Sequence, residues 1–473
     1  MHILGLPVEI LDRILGFLPR QSKLQCLQVN RVLNSVTLLE FNKYIELKDN
    51  TDVMKLYRQI FREPVFVQGS DIRSLSLATG IQGNRYMVKR DMLIRILKAC
   101  TNLQTIQLMH DSNQLLEYVY HSRNTLNIES VKTIYIKFNE HNTVVRDTDF
   151  LTTYYYAKKI PQIPLYLTEN TFDGAPVYKS LYTYLGHFTI LKVLSLKVDN
   201  VEIVLHDILS ACPSLQKLEL INSKSNSTTS KLQLFNTSTK NATTIKSQLK
   251  VLCIGSNFIN QDLLMYLSDN IDSLNNLTLG GSQSFNHQQL LNAFNGFNSK
   301  SAAKSTSFSI RSIGFEHRFL LHENFIRCVE SWFPTLKRID FTCCNFSRMM
   351  TNSLNLMFNF TGLDLEYFTI NLQNLYESCT GSSIKTSLEI MNNSLNTSEE
   401  STCFQRTAKW KPENMFIAKS STTYCNSKAR VKRINSNYIC VITVKIESIR
   451  DIHLYCHSPD GRQSFSQIIN FGV

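Results

Sequence analysis

Two rhythms of apolar residues alternate along most of this chain. Residues 201–220, VEIVLHDILSACPSLQKLEL, show both. Val204, Ile208 and Leu209 recur at helical spacing, so they share one side of a predicted helix. Cys212-Pro213 closes that helix, because proline cannot continue it. Leu215, Leu218 and Leu220 then follow the spacing of a short strand with one buried face. MLIRILKACTNLQTIQL, DLLMYLSDNIDSLNNLTL and FIRCVESWFPTLKRIDF repeat the arrangement. Strand cores begin at Ile72, Leu103, Val131, Ile160, Leu191, Leu215, Leu249, Leu274, Ile310, Leu336 and Leu365. Ile160 is the poorest member, because Pro161 and Pro164 would interrupt its strand. The position eight after the first apolar residue tends to be small and polar, as at Asp111, Asn139, Asp199, Ser223 and Asn257. A buried side chain there is expected to bond turn backbone. No single unit can bury its apolar face, whereas stacked units bury it continuously.

Three stretches depart from the rhythm. Residues 223–247 are rich in Ser, Thr, Asn and Lys and read as a mobile surface loop. Residues 391–437 are a similar polar excursion. Residues 438–473 follow, with YICVITVKI and IRDIHLYC reading as two strands that cap the repeats. At the other end, Ile10, Leu11, Ile14, Leu15 and Leu18 recur at helical spacing after Pro7 and Glu9, which suit a helix start. Pro19 breaks that run. A second short helix carries Leu24, Leu27 and Val29, and Asn30 can cap a third through Leu33, Val36 and Leu39. Three helices this short are too small to hold a core of their own.

Composition narrows the function classes. The 473 residues are 43% hydrophobic and 10% aromatic, which excludes disorder throughout. No apolar run reaches the roughly 20 residues that a membrane helix needs. Glu9 and Asp12 interrupt the first apolar stretch, so no secretory leader is read, and a reducing compartment, cytoplasmic or nuclear, is expected. The 12 cysteines include no C-x-x-C, so no metal site and no cofactor are expected. Neither G-x-S-x-G, H-E-x-x-H nor a phosphate loop is present, which leaves no catalytic constellation. His110, His206, His317 and His322 are scattered. The net charge of +12 is uneven: residues 401–473 hold eleven Lys or Arg against four Asp or Glu. The KARVKR run, Lys428 to Arg433, reads as a solvated cluster. Nucleic acid is not the expected partner, because the opening helices lack a basic recognition face.

L-P-x-E-I-L, I-x-x-x-L-P and L-x-x-x-x-V-x-R, carried by Leu6, Pro7, Glu9, Ile10, Leu11, Ile14, Leu18, Pro19, Leu24, Val29 and Arg31, resemble an F-box over about the first 40 residues. The departure is Leu33, where that family commonly has tryptophan. The repeating units resemble the leucine-rich repeats that follow many F-boxes. The resemblance implies an α/β chain: an F-box-like helical module over 1–45, then a leucine-rich-repeat solenoid over 46–390 with parallel strands inside and helices outside. It implies docking of these eleven residues and Leu33 on the Skp adaptor, and through it on a cullin. The chain would be a non-catalytic subunit of an SCF-type ubiquitin ligase, with its repeats holding a protein substrate. The alternative is a leucine-rich-repeat scaffold without an adaptor. The strand-interior positions expected to face the substrate, among them Tyr135, Lys137, Lys197, Lys217, Glu219 and Arg338, together with Glu316 and Asp340, carry four positive and three negative charges. That face is expected to be nearly neutral.

Overall fold

A computed structural model of the chain describes residues 5–62, 67–78, 90–109, 113–126, 128–137, 147–172, 179–222, 230–235, 247–280, 287–304, 309–316, 319–321, 323–346, 355–371, 385–392, 405–409, 419–421, 440–457 and 464–470. His110, His317, His322, Asp111, Asn139, Ser223 and the KARVKR run lie outside these residues. Two compact units are present, Met1–Ser195 and Leu196–Val473. The fold is α/β with mostly parallel sheets.

The first unit opens with α1 (Val8–Phe17), α2 (Arg20–Val29) and α3 (Arg31–Lys43). Pro7 caps α1 from outside, its carbonyl accepting the N–H groups of Ile10 and Leu11 at 3.0 and 3.1 Å. Asn30 caps α3, its Oδ1 accepting the Leu33 N–H at 2.8 Å. Without a loop, α3 runs into β1 (Tyr44–Leu47), a strand ahead of the series that begins at Ile72. There follow α4 (Asn50–Phe61), β2 (Ser74–Ala78), α5 (Arg90–Ala99), β3 (Thr105–Met109), α6 (Asn113–His121), β4 (Thr133–Lys137), α7 (Asp147–Tyr155), β5 (Gln162–Thr168) and α8 (Leu181–Leu185). Strands β1 to β4 form one parallel sheet in chain order. All eleven residues that open the strand cores, from Ile72 to Leu365, are buried.

Ten of these residues sit two positions ahead of a strand, Leu365 lies within β16, and at eight of the eleven the chain continues the same way. The next two N–H groups both donate to one carbonyl of the preceding unit. Gln104 and Thr105 donate to Arg73, and Lys132 and Thr133 to Gln104, at 2.8–3.2 Å. Lys250 and Val251 donate likewise to Gln216, and Arg311 and Ser312 to Asn275, at 2.8–3.0 Å. Side chains reinforce the step: Ser273 Oγ and Thr335 Oγ1 donate to the Leu249 and Ile310 carbonyls at 2.8 and 3.1 Å, and Lys159 Nζ to that of Val131 at 2.7 Å.

Pro161 occupies this position before β5 and has no N–H to give. Strands β4 and β5 accordingly fall in separate sheets. Proline was expected to interrupt the strand itself. Instead β5 is a full seven residues with alternate positions buried, and the interruption is in its pairing with β4. The expected buried polar position is met at Asp199, whereas Asn257 is exposed, because Ser256 and Phe258 of the turn Ser256–Phe258 fill the interior there.

β6 (Val193–Asp199) spans the boundary of the two units. Asn200 then turns the chain with φ 57°, and Val204, expected on a helix, lies in β7 (Glu202–Val204). The second unit continues through α9 (Leu205–Ala211), β8 (Lys217–Asn222), β9 (Lys231–Gln233), β10 (Val251–Gly255), α10 (Gln261–Asn270), β11 (Asn276–Gly280), α11 (His287–Lys304), β12 (Ser312–Glu316), β13 (Leu320–Leu321), α12 (Glu323–Trp332), β14 (Arg338–Phe341), β15 (Asn345–Phe346), β16 (Asn355–Asn371), β17 (Lys385–Asn392), β18 (Gln405–Lys409), β19 (Lys419–Ser421), β20 (Cys440–His457) and β21 (Ser464–Asn470). Strands β8, β10, β11, β12, β14, β16 and β20 are parallel neighbours in that order. Its core is aromatic: Phe294 stacks on Trp332 at 4.6 Å, and Phe315 on Phe341 at 5.3 Å.

Two sequence expectations change here. Within 223–247, residues 230–235 are docked: β9 pairs with β7, and the Phe235 ring lies 5.1 Å from Tyr266 and 5.2 Å from His206. Leu232 and Phe235 supply the apolar contacts that the polar composition hides. The described part of YICVITVKI, from Cys440, and IRDIHLYC belong to one 18-residue strand, β20, because no Gly or Pro separates them. The irregularity lies in its partner, between Phe360 and Asp364 of β16. There Gly362 passes so close to Glu330 that a Cβ would overlap its carboxylate.

Candidate interaction surfaces

The opening helices do hold a small core, made by Leu11, Leu15 and Val36 with Leu6, Leu18, Cys26 and Leu33 packed against it. Four charged groups lock the helices together. The Lys43 ammonium on α3 donates to both oxygens of Asp12 on α1 and, at 3.0 Å, to Glu40 Oε2. Glu40 Oε1 accepts from Lys23 of α2 at 3.2 Å. Desolvation works against the Lys43 charge, but the hydrogen bonds and charges of Asp12 and Glu40 outweigh it and raise its pKa above the ordinary lysine value.

This core leaves a second apolar stripe uncovered. On α1, Leu11, Leu15 and Leu18 turn inward, while Ile10, Ile14 and Phe17, at i, i+4 and i+7, turn outward. Ile10 is 41% exposed, Ile14 37% and Phe17 90%. Leu24 and Val29 on α2 and Val32 and Leu39 on α3 are also exposed. Among the described residues, eleven of the fourteen exposed large hydrophobic side chains lie between Val8 and Phe61, so this end of the molecule stands apart from the rest.

The residues of the F-box-like motif therefore divide. Pro7, Glu9, Ile10, Ile14, Pro19, Leu24, Val29 and Arg31 are exposed. Leu11 is in the core and unavailable to a partner, and Leu6, Leu18 and Leu33 are half-buried against it. Sequence reasoning missed Val8, Phe17, Val32 and Leu39. The spacing of Phe17 from Ile10 and Ile14 could have revealed it.

The strand-interior candidates do not converge. Rows Tyr44–Ser74–Thr105–Thr133 and Glu46–Ser76–Gln107–Tyr135 cross the solvent face of the first sheet. Tyr135 is exposed, and the Lys137 side chain lies outside the described residues. In the second unit, Lys217 and Arg338 stand at register-matched positions four ladder steps apart, about 19 Å. Glu219 sits one row over and Lys197 is half-buried on β6. Arg338 lies 4.6 Å over the Tyr367 ring and 3.7 Å from Glu366. Among the described residues, no three His, Cys, Asp or Glu group as a metal site would require, and no helix is long and apolar enough to cross a membrane. No protein-family model matches this chain, and a search of curated proteins finds no match either.

Proposed function

We propose that the chain is the substrate-recognition subunit of an SCF-type cullin–RING ubiquitin ligase. Its N-terminal helices would act as an F-box that binds the Skp adaptor, and its stacked units as a leucine-rich-repeat solenoid that binds a protein substrate. The uncovered stripe of Ile10, Ile14 and Phe17 carries this reading. A module that already has a core and a charged lock gains nothing in its own fold from displaying these side chains, so a partner is their natural cover. Parallel strands following one another in chain order support the solenoid. The subunit is non-catalytic and raises the rate of ubiquitin transfer by holding a substrate lysine near the loaded enzyme.

Capture of the chain on immobilised Skp adaptor tests the reading. Binding by the wild type and its loss in Ile10→Asp with Phe17→Asp, at an unchanged melting temperature, is the expected result. Failure of the intact chain to bind would overturn it. A second reading, an adaptor-free leucine-rich-repeat scaffold with a helical cap, is favoured by one observation. α3 runs straight into β1 and buries Thr37 and Asn42.

A further inference from the structure

The residue just after each buried residue that opens a strand core is repeatedly a cation. In the first unit the position is held by Arg73, Gln104, Lys132, Pro161 and Lys192; in the second by Gln216, Lys250, Asn275, Arg311, Lys337 and Glu366. The carbonyls of Arg73, Lys250, Arg311 and Lys337 each accept two N–H groups of the next unit. Arg73, Lys132, Lys192, Lys250 and Arg311 are all exposed, and among the described residues none of the five makes an ion pair. Lys337 is paired with Asp364 at 2.5 Å. The first sheet thus carries Arg73 and Lys132, and the larger sheet Lys250 and Arg311, as rows of exposed positive charge along the strand-entry edge.

We propose that these rows dock an extended acidic segment of a partner protein. The inference rests on the reading that the repeats hold a protein target and is independent of the adaptor. Its geometry is set by the ladder. Arg73 and Lys132 are two strands apart, as are Lys250 and Arg311, with uncharged Gln104 and Asn275 between them. Two ladder steps are about 10 Å, and one turn of a segment extended as polyproline II, three residues at about 3.1 Å each, covers nearly the same distance with every third side chain on one face. A segment laid across the strands therefore brings a carboxylate to each cation when acidic residues recur at every third position. Gln104 and Asn275, both exposed, offer amide hydrogen bonds to the backbone between them. Single cations about 10 Å apart, without an interleaved aromatic stack, fit carboxylates on a peptide better than a continuous phosphate chain.

The test uses the full chain and three fluorescent probes: acetyl-EGSEGSEGSE-amide, acetyl-QGSQGSQGSQ-amide and oligo-dT. The expected result is binding of the glutamate peptide in preference to the glutamine peptide, weakening as salt rises from about 0.05 to about 0.5 M. Arg73→Ser, Lys132→Ser and Lys192→Ser together with Lys250→Ser and Arg311→Ser should reduce it by about tenfold or more, at an unchanged melting temperature because all five side chains are exposed. Equal binding of the two peptides, equal binding by the variant, or tighter binding of oligo-dT lost in the same variant would each overturn the proposal. The Ile10→Asp/Phe17→Asp protein separates the two readings. It should keep the peptide and lose the adaptor, so failure of one reading is read apart from failure of the other.

Discussion

Glu40 is only 8% exposed and lies between the ammonium groups of Lys23 and Lys43. Replacing it with alanine leaves two cations facing each other in a half-dry site, and Glu40→Ala should lower unfolding free energy by about 3 kcal/mol in denaturant melts. The raised pKa of Lys43 gives a pH signature with a fixed sign. Its folded value exceeds the unfolded one, so its stabilisation is complete below about pH 10.4 and fades as pH rises through the folded value. Thermal midpoints of the wild type should therefore fall more steeply above about pH 10.5 than those of Lys43→Met; parallel curves would exclude the lock. Cys100 and Cys212, which end α5 and α9, show how the same chemistry reads elsewhere. Burial pushes both thiols up to about 12, as expected of small apolar fillers.

At the scale of elements, the 3.6-residue and two-residue rhythms were legible, and so was the residue that opens each strand core. Phe235 shows what composition concealed. It anchors residues 230–235 against Tyr266 and His206, so Phe235→Ser should release β9 from β7. Limited trypsin digestion reads this directly, with faster cleavage after Lys231 expected in the variant. Equal cleavage rates would mean that the backbone pairing alone holds the segment. Pro161 makes the complementary point: the sequence announced an interruption, but only the pairing pattern located it in the ladder between β4 and β5.

For the whole molecule, the sharpest expectation separates docking from capping. Deleting residues 1–29 removes α1 and α2 but keeps α3, whose Thr37 and Asn42 are buried. The remainder should stay soluble with a cooperative melt and fail to bind the adaptor. Aggregation of this shortened chain would favour a purely structural cap. The net charge of +12 likewise changes meaning at this scale. Counting strand interiors alone leaves out Arg73, Lys132, Lys192, Lys250 and Arg311, which sit just ahead of their strands.

Spacing of apolar residues alone determined most of the alternation of helix and strand and the identity of the core ladder, because burial acts on every unit in the same way. Which apolar residues of the opening helices face inward was decided only by the three-dimensional packing. Leu11 and Ile10 are adjacent and chemically alike, yet one fills the core and the other meets solvent. The rotation of α1 against α2 and α3 makes that choice, through contacts between residues distant in the chain such as Asp12 and Lys43.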